Sequence, residues 1–335
     1  MNRRDFIRNA TGLSGAALAG GFPEAARAAA APVARVAFVR TRDRAAGTRR
    51  AIALLGLEAL GGRDVFVKPN CNSADPAPGS THPDTLAALL AGLAALGAGP
   101  LTVGDRSGMG DTRSVMERTQ VFRVAQAHRA KAVVLDELGA GDWETVRVPG
   151  SHWQQGFALP RIVRSAGAVA QACCLKTHRF GGHFTLSLKN AVGLAAKRVP
   201  GEAHDYMREL HTSPHQRRMI AEINAGCRGD LVVLDGVEAF VTGGPDTGKR
   251  VPAEVVLAGT DRVAVDAVGV ALLRHFGTTP EVARGAIFAQ EQIARAVELG
   301  VGVDGPDRIE LVTGDAASTD YARQIRAILD GAGAA

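Results

Sequence analysis

The stretch CLKTHRFGGHFTLSLKNAVG, Cys174 to Gly193, sets two lysines and two histidines within fourteen residues, among glycines and small polar side chains. Such a set can do two kinds of chemistry. The imidazoles of His178 and His183, five residues apart across a flexible glycine loop, can reach one metal ion or move protons. The amines of Lys176 and Lys189 can hold an anion, or act as bases where burial lowers their pKa. Lys176 and His178 share a face if the strand preceding them continues. Beyond the glycines, HFTLSLKN reads either as a strand with His183, Thr185, Ser187 and Lys189 on one face or as a helix aligning His183, Ser187 and Asn190. The plainer alternative is a pair of solvated histidines flanking a mobile loop.

Lysine is scarce enough here to be informative. Of 39 basic residues, 33 are Arg and six are Lys, so most exchangeable lysines have become arginine and a retained one suggests a need for a compact, tunable ammonium. Lys68, Lys176 and Lys189 stand out, in stretches rich in glycine, proline or histidine. We take Lys176, His178 and Lys189 as catalytic candidates, and Lys68, Asn70, His82 and Asn190 as substrate-binding candidates. His82 precedes Pro83 at the start of a helical pattern, where capping is an equal reading. Asp105 and Asp235 follow apolar runs and Asp266 lies near a helix start. With His178 and His183 they form the candidate metal set, or they orient the bases. His204, His211 and His215 read as structural. GGPDTGK at 243–249 imitates a phosphate loop, but Arg250 stands where a magnesium-binding Ser or Thr is required and Pro245 removes a backbone donor.

These residues need a scaffold. Eight apolar, Val-rich runs, at 33–41, 63–70, 100–105, 130–137, 168–176, 230–237, 254–260 and 308–314, read as strands covered on both faces. Helical patterns alternate with them, clearest at 83–97 and also at 263–276, 287–299 and 320–329. The alternation predicts an α/β fold with a mostly parallel sheet, helices on both faces, and a ligand site at the carboxyl edge of the strands. The α/β domain is expected over 33–315, followed by a C-terminal helix and tail at 316–335.

Composition narrows the function classes. The chain has 335 residues, 46% hydrophobic and 22% charged, as a soluble globular protein would. Aromatics at 4% offer little for base stacking. NRRDFIR at 2–8, a weakly apolar run and ARA at 26–28 read as a twin-arginine signal peptide spanning 1–28. The expected location is periplasmic or extracellular, the expected partner the twin-arginine translocase, and no stable membrane anchor should remain after cleavage. Four arginines and two acidic residues leave with the signal, so the net charge falls from +5 to +3, too little for a polyanion partner such as nucleic acid. Cys71, Cys173, Cys174 and Cys227 show neither metal-site spacing nor a disulfide framework, although Cys71 could pair with Cys227 in an exported protein.

Taken together, VFVKPN, STHPDT, LTVGDRSG, CLKTHRFGGHFTLSLKNAVG, LVVLDGVEAFVTGGPDTGK and LAGTDRVAVDAVG resemble, in order and approximate spacing, the domain-of-unknown-function 362 family over about residues 36–305. The resemblance implies that Lys68, Asn70, His82, Asp105, Lys176, His178, Lys189, Asn190, Asp235 and Asp266 occupy family motif positions. Many relatives carry a cysteine-rich iron–sulfur segment; this chain lacks the cysteine quartet, so no built-in cluster is expected. A fainter similarity is to the nickel-pincer lactate racemase family, whose α/β sites use lysines and histidines around an organometallic cofactor. The expected function is therefore an exported enzyme of unassigned reaction, dependent on a transition metal or another cofactor and acting on a small anionic substrate. The alternatives are a periplasmic carrier with the same pocket and no turnover, and a lactate-racemase-like isomerase.

Overall fold

The computed structural model describes residues 33–331; the proposed signal peptide lies outside them. Among the described residues, twelve strands occur in chain order: β1 (Ala34–Arg40), β2 (Val65–Lys68), β3 (Leu101–Asp105), β4 (Lys131–Val134), β5 (Trp143–Val146), β6 (Phe157–Pro160), β7 (Ala168–His178), β8 (His183–Thr185), β9 (Leu231–Gly243), β10 (Gly248–Val251), β11 (Val255–Gly259) and β12 (Ile309–Val312). The main sheet runs β12-β1-β11-β9-β7-β2-β3-β4, with β8 paired to β7 and β10 to β9 as hairpin extensions; β5 and β6 form a separate hairpin.

All neighbours along the main path are parallel except those of β11, which is antiparallel to both β1 and β9. The exception has a simple cause. Only the short β10 hairpin arm separates β9 from β11, and a parallel neighbour needs a crossover of a dozen or more residues. The eight expected strands are all present, and the fold is α/β with a mostly parallel sheet.

Side-chain alternation divides the strands between cores. Val36 and Phe38 of β1, with Val232 and Leu234 of β9, pack with the helix Arg262–His275 and the C-terminal helix Ala316–Leu329. Ala37, Val39, Leu231 and Val233 point the other way, toward helices Arg44–Leu55 and Pro83–Ala95. A third cluster, with Trp143, Trp153, Phe157 and Tyr206, packs the β5/β6 hairpin beside Phe66 and Val169. The C-terminal helix starts at Ala316, capped by Asp315, and packs on β1. The helix expected over 287–299 is split by extended backbone at Gln290 into a 3-10 turn and Glu291–Glu298. Among the described residues, no helix is long and apolar enough to cross a membrane.

Candidate functional site

From β2 the chain builds outward through β3 and β4; from β7, on the other side of β2, it continues to β9. The direction of building reverses between β2 and β7, which opens a crevice beyond their carboxyl ends. Lys68 ends β2, Asp105 ends β3, and Lys176 and His178 lie in the last three residues of β7.

A small chamber of about 40 Å³ occupies the crevice, lined by Lys68, Asn70, Asp105, Lys189, Asn190 and Gly193 among others. Lys68 Nζ lies 2.7 Å from Asp105 Oδ1, with both side chains almost wholly buried. It also donates to the Pro69 carbonyl at 2.6 Å and to Asn190 Oδ1 at 3.4 Å. Asp105 accepts in addition from the backbone N–H groups of Cys71 and Arg106, at 2.7 and 2.6 Å. Asn190 Oδ1 takes a second bond from Asn70 Nδ2 at 3.1 Å, while its own amide donates to Gln171 Oε1 at 3.0 Å. A buried pair this fully bonded is costly to break, because removing one partner strands the other charge. Gly193 is required here: a Cβ on it would lie 2.6 Å from Asp105 Oδ1 and 2.7 Å from Lys68 Nζ.

The segment carrying Lys189 and Asn190 resolves the two readings of HFTLSLKN in sequence. It is a strand to Thr185 and a helix from Ser187 to Asn190, with the change of direction at Leu186. Asp266 fixes the helix start. Its carboxylate accepts from the N–H of Ser187 at 2.8 Å, from the Ser187 hydroxyl, and from the N–H of Leu188 at 3.0 Å. Burial outweighs these bonds and raises the Asp266 pKa to about 7.

Lys189 sits where the chamber meets a larger cleft of about 990 Å³. Among the described residues, no hydrogen-bond or ion-pair partner meets its amine. Burial, helped by the positive charges of Lys176 and Arg106, lowers its pKa to about 7, so that the free amine is abundant at neutral pH. His178, at the same junction, is buried with Nδ1 unpartnered. Burial and the nearby Lys189 and Lys176 charges hold its pKa well below the usual imidazole value, so the ring is neutral. Both groups crowd Gly182, where a Cβ would lie 2.6 Å from Lys189 Cε and 3.0 Å from His178 Nδ1.

Lys68, Asn70, Asp105, Lys189 and Asn190 converge on the chamber, and His178 lines the adjoining cleft. Four expectations need correction. Lys176 is fully buried, and its amine is taken up by Asn70 Oδ1 at 3.0 Å, the Gly79 carbonyl and the Pro245 carbonyl at 3.2 Å. With all three donors engaged it braces the walls and has no access to a ligand. His82 caps the helix Pro83–Ala95, its Nδ1 accepting from the Asp84 N–H, and lines neither cavity. His183 is opposite His178 in the β7/β8 pairing but with φ +62, and its surroundings are Arg217, Glu281 and Glu291.

The fourth correction concerns the metal set of His178, His183, Asp105, Asp235 and Asp266, which does not converge. Asp105 is committed to Lys68, and Asp266 to the helix at Ser187. Asp235 pairs with Arg44 at 2.9 Å and accepts from Thr85 Oγ1 at 2.7 Å. Among the described residues, no three His, Cys, Asp or Glu side chains gather as metal ligands would.

Residues 65–271 match the family model described as domain of unknown function (DUF362). The chain belongs to this family. Every chamber residue named above falls within the matched span. Among solved structures, the lactate racemase apoprotein from Thermoanaerobacterium thermosaccharolyticum is similar at 15% identity and a TM-score of 0.43, over 72% of this chain and 58% of that one. This chain therefore spans less than two thirds of that structure's length. No curated protein matches the sequence.

Several cleft residues escaped the sequence reading. Arg106 follows Asp105 directly, and its guanidinium donates to the carbonyls of Val192 and Ala195, tying the 191–195 turn to the end of β3. His211, read as structural, lines the cleft with Nδ1 2.7 Å from the Met207 carbonyl oxygen. Met109 and Phe180 also line it and remain exposed. Position alone could have flagged Arg106, beside a strand-end aspartate. The other three depend on loops whose course no periodicity dictates.

Proposed function

We propose that this protein is an enzyme acting on a small-molecule anion, with the free amine of Lys189 as general base and the neutral imidazole of His178 as its proton-transfer partner. The observation that carries this reading is the unpartnered Lys189 amine, tuned to about 7, at the junction of a polar chamber and a substrate-sized cleft. A substrate anion is favoured by the surplus of cations around the junction, where, among the described residues, the side chains of Lys176 and Arg106 are hydrogen-bonded to no carboxylate. The chemistry this fits is removal of a proton from a carbon activated by an adjacent carboxylate or carbonyl, which includes isomerisation of 2-hydroxy or 2-oxo acids.

The test is solvent deuterium incorporation. A panel of small carboxylic and 2-oxo acids in D2O is followed by NMR with the wild-type protein, Lys189→Met and Lys189→Arg. Incorporation by the wild type that both substitutions abolish supports the reading. Tight binding of an acid with no exchange or other turnover would favour a carrier.

Export through the twin-arginine route is part of the same proposal and rests on NRRDFIR and the ARA site. N-terminal sequencing of the exported protein should begin after Ala28, and changing Arg3 and Arg4 to lysine should retain the precursor inside the cell. Among the described residues, a transition-metal cofactor would find His178 Nδ1 unpartnered and buried beside the cleft, close to the unpartnered Lys189 amine. Elemental analysis of protein from its exporting host, with His178→Ala alongside, decides whether a metal is carried there.

A further inference from the structure

The chamber holds about 40 Å³, room for roughly three water-sized groups. The cleft outside it holds about 990 Å³, the size of a site for a drug-sized ligand. A substrate as small as a three-carbon acid would leave most of that cleft unused.

The walls indicate what fills it. Among the described residues the large hydrophobic side chains that stand exposed are Val33, Met109 and Phe180. Val33 is at the beginning of the described chain; the other two both line this cleft.

Neither is exposed because its loop is loose. The Phe180 turn is tied down by Gln216 Nε2 to the Phe180 carbonyl at 3.2 Å, Arg217 Nη1 to the Gly181 carbonyl at 3.0 Å, and Gln292 Nε2 to the Gly182 carbonyl. On its other side Arg179 donates to the Gly244 carbonyl, pairs with Asp246, and lies over the Phe180 ring at 4.4 Å. Met109 is held by its N–H to the Asn72 carbonyl at 2.7 Å and by the Ser107 hydroxyl to its own carbonyl at 2.9 Å. Polar contacts thus hold in the wall of a cationic cleft a half-exposed aromatic ring, with Arg179 over it, and a half-exposed thioether whose Sδ accepts from Asn72 Nδ2 at 3.5 Å. Such surfaces recognise a flat apolar group, by ring stacking and by sulfur–aromatic contact.

We propose that the ligand of this cleft is an aromatic or otherwise planar acid, whose anionic head enters the chamber at Lys189 and whose apolar body lies against Phe180 and Met109. The proposal deepens the functional reading above and rests on the cleft being its substrate site, but it is tested by binding, with no turnover required. Calorimetric titrations at pH 7 would compare 2-naphthoate, acetate and the uncharged 2-naphthylmethanol as probes, against wild type, Phe180→Ser and Met109→Ser. Both side chains are exposed, so both variants should keep the wild-type thermal midpoint.

The expected result is 2-naphthoate binding at least tenfold tighter than either other probe. Each substitution should weaken naphthoate about three- to tenfold, in line with the worth of an aromatic contact, and leave acetate unchanged. Naphthoate binding no tighter than acetate, or untouched by both substitutions, overturns the proposal. Naphthoate binding that behaves as expected while Lys189→Met leaves turnover intact would sink the catalytic reading and leave this one standing.

Discussion

Replacing Lys189 by methionine should change how stability depends on pH, in a direction opposite to that of a lysine stabilised by a carboxylate. In the unfolded chain the amine titrates near its ordinary value of 10.5; in the folded protein it titrates at about 7. Between those values the unfolded state binds more protons, so stability rises with pH from about 7 and levels off as pH approaches 10.5. At ~1.4 kcal/mol per pH interval the rise from pH 7 to 9.5 is at most about 3 kcal/mol, and nearer 2 kcal/mol once solvent reaching the partly exposed side chain is counted. Methionine has a similar length and no charge, so the variant lacks this slope and is the more stable protein at pH 6.5. The assay is urea unfolding of both proteins at half-unit steps from pH 6.5 to 9.5, with the difference in free energy plotted against pH. A difference that closes by about 2 kcal/mol as pH rises supports the account. Parallel curves would refute the claim that Lys189 is held as a free amine.

Other substitutions probe the rest of the site. Gly193→Ala drives a methyl group into the Lys68–Asp105 pair and should cost about 1–3 kcal/mol in denaturant unfolding, as overpacking a buried site does. Gly182→Ala meets the movable end of Lys189; stability should change by less than about 1 kcal/mol, while the Lys189 titration midpoint shifts. Asp266→Asn puts an amide donor against the N–H groups at the start of the Ser187 helix, for a cost of about 1–3 kcal/mol and a loss of exchange activity through misplacement of Lys189. His178, held below its ordinary value, binds protons more readily when unfolded. Stability should therefore fall as pH drops below about 6.5, and His178→Asn should flatten that acid limb.

The inner strands of the sheet were legible because they are buried on both faces, and a buried strand there must be a continuous apolar run. The edge strands β4 and β12 are partly exposed and were marked by their short Val-containing runs alone. Helix Arg44–Leu55 carries no such mark: its RAAGTRRAIALL sequence shows little apolar periodicity, and capping by Asp43 and Gly56 sets its bounds. The antiparallel β11 reads like its neighbours because direction leaves no trace in a buried strand.

Within the site, scarcity of lysine drew attention to Lys68 and Lys189, both of which line the chamber. The same signal could not distinguish Lys176, whose amine points among three protein oxygens; residue type records a buried ammonium but not whether its partner is protein or ligand. His183 went astray because φ +62 at the hairpin changes the course of the backbone, which sequence spacing does not encode. The aspartates group together in sequence because each follows an apolar run or lies near a helix start, but only Asp105 ends its strand: Asp235 lies inside β9 and Asp266 within the helix Arg262–His275, and each carboxylate is satisfied locally.

The central claim is the state of the Lys189 amine, and it can be read directly. Reductive methylation with ¹³C-formaldehyde labels accessible lysines, and the chain has only six, so each dimethylamine resonance can be followed from pH 5.5 to 11. Beside the N-terminal amine, which is labelled too and titrates at about 8, the account predicts a lysine resonance with a midpoint near 7 that is missing from Lys189→Met. If every labelled lysine titrates near 10 or above, Lys189 is an ordinary cation and the proposed base does not exist.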